Sequence, residues 1–302
     1  MMSLRIPLLA FFLACPPLFA APDSAPCTGP LTLHRTASGG WEFHRDGKPF
    51  FIRGAGGPEH LDVLAASGGN MIRTWGIDNL TEKRDGKTLV ERARDHKLLI
   101  AAGLWVGHER HGFRYDDPAQ IERQQNEIRQ AVAQWKHEPS IGVWGLGNEM
   151  EGPAQDGRDV RIWKELEVLA QSIKKEHPSR PIMTVIAGAG ADKVKGIMTH
   201  CPSIDILGVN AYAPAAGAGK AVKEAGWEKA FMLTEFGPLG HWEVASTPWG
   251  APIEPDSLAK AAKYADTQKR VVEESQGLCV GTFAFFWGQK QECTATWYGM
   301  FL

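Results

Sequence analysis

The chain has 302 residues, of which 43% are hydrophobic and 23% charged, and 33 Lys and Arg against 35 Asp and Glu leave a formal net charge of −2. This balance excludes an intrinsically disordered chain, which needs fewer apolar residues and more net charge, and it offers nucleic acid no basic face. The unusual feature is 11 Trp, whose flat rings suit apolar or carbohydrate surfaces.

The N-terminus reads Met1-Met2-Ser3-Leu4-Arg5, then an apolar run from Ile6 to Leu13, then the small residues Ala20 and Ala21. One early positive charge, a short apolar stretch and a small-residue exit predict a secretory signal peptide over residues 1–21, cleaved near Ala20 or Ala21, and a secreted or periplasmic mature domain over residues 22–302. The run is too short to span a bilayer, and no other apolar run is long enough, so no transmembrane segment is expected. Beyond the leader, Cys27, Cys201, Cys279 and Cys293 permit three disulfide pairings that spacing does not distinguish, or free thiols. No CxxC occurs, which disfavours a zinc ribbon or a thioredoxin-type redox site.

A β lead-in follows, Leu31–His34 and Trp41–His44, turning at Gly39-Gly40. From there eight short runs read as strands: residues 50–54, 71–75, 98–104, 141–146, 182–186, 206–209, 231–234 and 281–286. They are rich in β-branched and aromatic residues, and several are continuously apolar, as strands buried on both faces are. Helices are expected over residues 60–66, 88–96, 119–135, 160–177, 192–200 and 257–275. In the fourth of these, Ile162, Leu166, Leu169, Ala170 and Ile173 form a stripe at spacings of three and four, and Pro178 marks its stop. Strands alternating with helices in one uninterrupted series predict an α/β fold, a closed (β/α)8 TIM barrel with a short N-terminal β lead-in. After Phe286 only an aromatic, Gly-containing tail remains, so the eighth helix is expected to be missing.

In such barrels the active site forms at the C-terminal ends of the strands. Two glutamates stand there: Glu149 in Gly147-Asn148-Glu149 after strand four, and Glu235 in Thr234-Glu235-Phe236-Gly237 after strand seven. Burying an unpaired carboxylate is costly, so two at buried strand ends predict chemistry. Cleavage of a glycosidic bond needs this pair, one acid to protonate the leaving oxygen and one carboxylate to meet the oxocarbenium-like carbon.

With Arg73 in Asn70-Met71-Ile72-Arg73, Trp287 after strand eight, and the lead-in Asp46–Gly54, these motifs resemble the clan A glycoside hydrolases, the retaining (β/α)8 glycosidases that include families 2 and 5. The resemblance implies Glu149 as acid/base and Glu235 as nucleophile. It further implies Asn148 on the sugar 2-hydroxyl, Arg73 holding Glu235 ionised, Tyr212 contacting Glu235, and Trp287 as the floor under the sugar. Retention requires the two carboxyls to stand roughly 5–5.5 Å apart, and the proton on Glu149 is expected to be kept by burial beside Glu235.

Trp75, Trp105, His108, Glu109 and Asn210 fall near strand ends and are expected to line sugar subsites, with His241 and Trp242 within reach of the cleft. Trp144 is expected in the core and Glu151 on a solvated loop. His108 and His111 are three apart rather than four, which disfavours an HExxH-type zinc site, and no G-x-S-x-G, Walker A or G-x-G-x-x-G is present. The chain is therefore expected to act on a carbohydrate substrate without a cofactor. The same residues serve a hydrolase or a β-glucan transglycosylase, and a non-catalytic glycan-binding barrel is the alternative from another class. Sugar, linkage, endo or exo action and oligomeric state stay open at this point.

Overall fold

Continuously apolar strands can be buried on both faces only if helices cover one side and something fills the other. The computed structural model of the protein, which describes Gly29–Phe301, meets this requirement with a closed barrel. The signal-peptide reading, with Cys15 and Cys27, lies outside the described residues.

The chain opens with three short antiparallel strands, β1 (Leu31–Arg35), β2 (Trp41–Arg45) and β3 (Lys48–Phe50). β4 (Ile52–Gly56), α1 (Leu61–Ala66) and β5 (Met71–Arg73) follow, then a small hairpin of β6 (Lys83–Arg84) and β7 (Lys87–Thr88) leading into α2 (Leu89–Asp95). The alternation continues through β8 (Leu99–Leu104), α3 (Pro118–Trp135), β9 (Ile141–Leu146), α4 (Val160–Glu176), β10 (Ile182–Ala187) and α5 (Ala191–His200). It ends with β11 (Ile206–Asn210), α6 (Ala218–Glu224), β12 (Ala230–Phe236), α7 (Ser257–Glu274) and β13 (Cys279–Ala284). Strands β4, β5, β8, β9, β10, β11, β12 and β13 pair in parallel and in sequence, and β13 pairs with β4, closing a (β/α)8 TIM barrel.

Local signals set the helix ends. Asp117 caps α3 by accepting from the Ala119 and Gln120 amides at 3.0 and 3.3 Å, with Pro118 at its first position. Thr88 and Glu91 form a reciprocal capping box at α2. On α4 the stripe Ile162, Leu166, Leu169, Ala170 and Ile173 is buried against the barrel. Helix α6 escapes the sequence pattern because Ala218-Gly219-Lys220-Ala221 carries no apolar period, and Gly219 lies where an added Cβ would stand 2.6 Å from the Ser275 Cβ.

Two cores result. One lies between barrel and helices. The other fills the barrel's lower half with Met71, Leu99, Val143, Met183, Ile206 and Met232, and Leu31 and Phe43 of the lead-in sheet plug its base. No helix follows β13 among the described residues. Residues 285–301 instead fold back beside the loop after β12, burying Trp297 and Tyr298, with the Trp297 indole donating to the Leu239 carbonyl at 2.9 Å. Cys201, Cys279 and Cys293 are free thiols, the first two buried and the third exposed. Among the described residues no helix is long and apolar enough to cross a membrane, and no group of His, Cys, Asp and Glu is arranged to hold a metal ion.

Candidate active site

The strand ends bring Arg73, Trp75, Asn148, Glu149, Asn210, Tyr212 and Glu235 together at the upper mouth of the barrel. Glu235, near the end of β12, is buried, at 7% exposure. Its Oε1 accepts from Arg73 Nη1 at 2.8 Å and from the Trp75 indole at 3.0 Å, and its Oε2 accepts from the Tyr212 hydroxyl at 3.4 Å. Arg73, itself 3% exposed, also donates to the Thr234 carbonyl at 3.1 Å and to Asn148 Oδ1 at 2.6 Å. Its planar fork thus fixes Glu235 and the Asn148-Glu149 segment relative to each other.

Glu149 leaves β9 through an unusual turn. Gly147 has φ +72°, where an added Cβ would also press on Met150, and Glu149 itself has φ +55°, an uncommon conformation for a residue with a side chain. The Glu149 amide donates to the Val185 carbonyl at 2.8 Å, and its Oε1 accepts from Asn210 Nδ2 at 2.9 Å. Asn210 is oriented in turn by the buried Thr234 hydroxyl at 2.8 Å and also donates to Asn148 Oδ1 at 3.1 Å. Backbone strain held in place by such a network is found where function requires it.

Both carboxylates open into one pocket of about 320 Å³, lined also by Trp75, Asn148, Phe285, Phe286 and Lys290. Burial pushes Glu235 above the usual carboxylate range, and the nearby Glu149 adds to this, against the pull of Arg73 and the Trp75 indole. The Arg73 contact expected from the sequence is therefore formed, but it is outweighed by desolvation. Burial falls on Glu235 rather than on Glu149, whose side chain is partly exposed with Arg110 at 3.9 Å. Burial and the Glu235 charge raise the Tyr212 phenol, keeping it a proton donor.

Two expectations are corrected. Trp287 does not floor the pocket. Its backbone amide bonds the Gly56 carbonyl at 2.8 Å and its indole the His60 carbonyl at 3.2 Å, carrying the ring over β4 onto Phe301. Phe285 and Phe286 line the pocket in its place. Trp75 borders the same pocket and donates its indole N–H to Glu235, with its ring 5.1 Å from the Arg73 guanidinium. Glu151 is not on a solvated loop but is 2% exposed, accepting from the Ala187 amide at 2.7 Å and Lys193 at 3.1 Å, and burial pushes its carboxyl up.

His108 is buried, and desolvation, aided by Arg110 and His111, pushes its imidazole down to about 4, so it is neutral. Glu109 pairs with Arg161 at 3.2 Å. Both border a cavity of about 20 Å³ that Glu149 also lines, rather than the pocket shared by Glu149 and Glu235. Trp105 is exposed, Trp144 is in the core, and Trp242 packs edge-on against Tyr212 at 5.8 Å, with His241 beside it. No sequence pattern marks Arg110 or Lys290, which sit in polar segments like any surface cation. Phe285 and Phe286 were visible as the end of strand eight, but not as pocket walls.

No protein-family model matches the chain, and no curated protein sequence matches it. Solved structures do. A β-D-glucuronidase of Dictyoglomus thermophilum superposes with a TM-score of 0.60 at 16% identity over 90% of this chain and 50% of that one. A β-glucuronidase of Bacteroides uniformis gives 0.62 at 16% identity over 89% and 35%. An exo-β-1,4-mannosidase of an Opitutaceae bacterium gives 0.61 at 15% identity over 85% and 55%. These structures share the closed (β/α)8 barrel with this chain. The chain spans between about a third and just over half the length of these glycosidases.

Proposed function

We propose that the protein is a retaining glycoside hydrolase that cleaves a β-linked oligo- or polysaccharide by double displacement. The observation that carries this reading is the shared pocket. Glu235 sits buried under three donors, and Glu149 stands across from it, aimed by Asn210. That glycosidases share this barrel supports it.

In the first step Glu235 Oε attacks the anomeric carbon, the bond to the leaving oxygen breaks, and Glu149 gives that oxygen its proton. The resulting ester of Glu235 is then attacked by water, which loses a proton to Glu149 and frees Glu235. Arg73, Trp75 and Tyr212 orient the nucleophile and compensate its charge, while Asn148 is placed for the sugar 2-hydroxyl. Burial of Glu235 supplies the dry surroundings in which these donors act most strongly. The N-terminal residues 1–21 fit export, which the mass of the mature N-terminus tests.

The test is turnover of a panel of aryl β-glycosides, with β-glucan and β-mannan oligosaccharides, by the full chain and by Glu235→Gln. Proton NMR identifies the first anomer released. Retained configuration, with turnover reduced at least about 10⁴-fold in the variant, is the expected result. Inverted product, or turnover that survives the substitution, overturns the assignment.

A further inference from the structure

Two tryptophans stand in water on opposite rims of the barrel mouth. Trp105, after β8, is 46% exposed, and Trp242, after β12, is 61% exposed. β8 and β12 are the third and seventh strands of the ring of eight, four apart in either direction, so their loops face each other across the mouth. Large aromatic side chains are normally drawn into the core, and exposed ones beside a pocket mark a binding surface.

Neither ring is loose. Trp242 meets Tyr212 at 88° and His241 at 82°, and Tyr212 donates to Glu235, so Trp242 is one ring removed from the buried carboxylate. Trp105 lies 5.1 Å from His108 and nearly parallel to His111, at 11°. It opens onto a second pocket of about 360 Å³, whose wall includes Gln120, Arg123, Gln124 and Glu127 from α3. An aromatic face beside amide, guanidinium and carboxylate groups matches a sugar ring, which has an apolar C–H face and a rim of hydroxyls. The pocket holding Glu149 and Glu235 lies on the same mouth.

We infer that the cleft takes a linear β-linked glycan laid across the barrel mouth, with sugar units held at Trp105 on one side of the scissile bond and at Trp242 on the other, so that internal bonds are cut. The inference rests on the glycosidase reading and deepens it from a reaction to a substrate shape. An enzyme that trims chain ends needs a wall across one end of its cleft, whereas here an exposed ring stands on each side of the mouth. The polar wall beside Trp105 favours a glycan over a protein partner, whose anchors seek fully desolvated apolar pockets.

Two readouts on the full-length protein separate this inference from the reading beneath it. Electrophoresis through gels containing soluble β-glucan or β-mannan measures binding, and cleavage of an end-labelled β-linked hexasaccharide measures which bonds break. Retardation by one polysaccharide and products from internal bonds are expected. Trp105→Ala and Trp242→Ala should each weaken retardation about tenfold and move the favoured bond toward opposite ends of the hexasaccharide. Both rings are exposed, so both variants should fold, which circular dichroism checks. Hydrolysis of aryl monoglycosides with neither retardation nor internal cleavage overturns the inference and leaves the glycosidase reading standing. Retardation that depends on both tryptophans without any turnover overturns the glycosidase reading instead. Release of terminal sugars alone, or retardation unchanged in both variants, overturns the role given to the two rings.

Discussion

Arg73 is the hinge of the site, and replacing it by Met tests the electrostatic account most directly. The guanidinium is the cation bonded to Glu235, at 2.8 Å, and both side chains are buried. Without it Glu235 has two choices. It can stay charged in a low-dielectric site, at a cost of about 3–5 kcal/mol for a broken buried pair. Alternatively it can take up a proton, at about 1.4 kcal/mol for each pH unit above its unfolded value near 4.3. At pH 7 the second route costs about 4 kcal/mol, comparable to the first, and at pH 5 only about 1 kcal/mol. The sign follows from linkage. A carboxyl raised by burial is protonated in both states below the unfolded value, and stability is lost as pH rises through the folded value. The variant's deficit in Tm must therefore grow from pH 5 to pH 8. The donors lost to the Thr234 carbonyl and Asn148 are insensitive to pH, so the difference between the two pH values isolates Glu235. In turnover of an aryl β-glycoside, the acid limb of the kcat/KM profile should move up by about one to two pH units, the equivalent of a charged hydrogen bond. Arg73→Lys keeps the charge and loses the fork, so it should move the limb less while still lowering kcat. An acid limb that stays in place, together with a Tm deficit equal at pH 5 and pH 8, would falsify this account of Glu235.

Lys193→Met should leave Glu151 buried without its cation, lowering Tm by about 6 °C or more, with a larger loss at pH 8 than at pH 5; a loss independent of pH would mean that Glu151 is protonated in the native protein. Gly103→Ala places a methyl group within 2.5 Å of the Thr74 carbonyl and against the Trp75 backbone, so calorimetry should show about 1–3 kcal/mol of destabilisation, and activity should fall as Trp75 withdraws from Glu235. Of Cys201, Cys279 and Cys293, only Cys293 should react with iodoacetamide in the native state, read by peptide mass, since burial pushes the other two thiols up to about 12. Modification of Cys201 at the same rate would contradict the packing around α5.

The barrel was legible because its code is periodic and local. Buried parallel strands must be apolar on both faces, and the helices between them must carry a stripe, so the eight runs and the helices α3, α4 and α7 stand out from the residue pattern alone. Where the code is weak the reading slipped: β3 carries Pro49 on a strand of three residues, and α6 has Gly219 inside a helix of seven. Glu151 shows the limit most clearly. On a polar loop beside Gly152-Pro153 it reads as solvated, and only its partners, Ala187 and Lys193, 36 and 42 residues away, make burial tolerable.

The sequence by itself determined which residues end the strands, and with them the candidate pair Glu149 and Glu235, because strand order fixes who reaches the mouth of a closed barrel. Only the tertiary structure decided how those residues divide their tasks. Trp75 donates to Glu235, Phe285 and Phe286 form the pocket wall rather than Trp287, and burial fell on Glu235 rather than Glu149. Hydrogen bonds and desolvation depend on neighbours drawn from strands up to 162 residues apart, and one-dimensional spacing carries no information about which of several nearby donors wins a carboxylate.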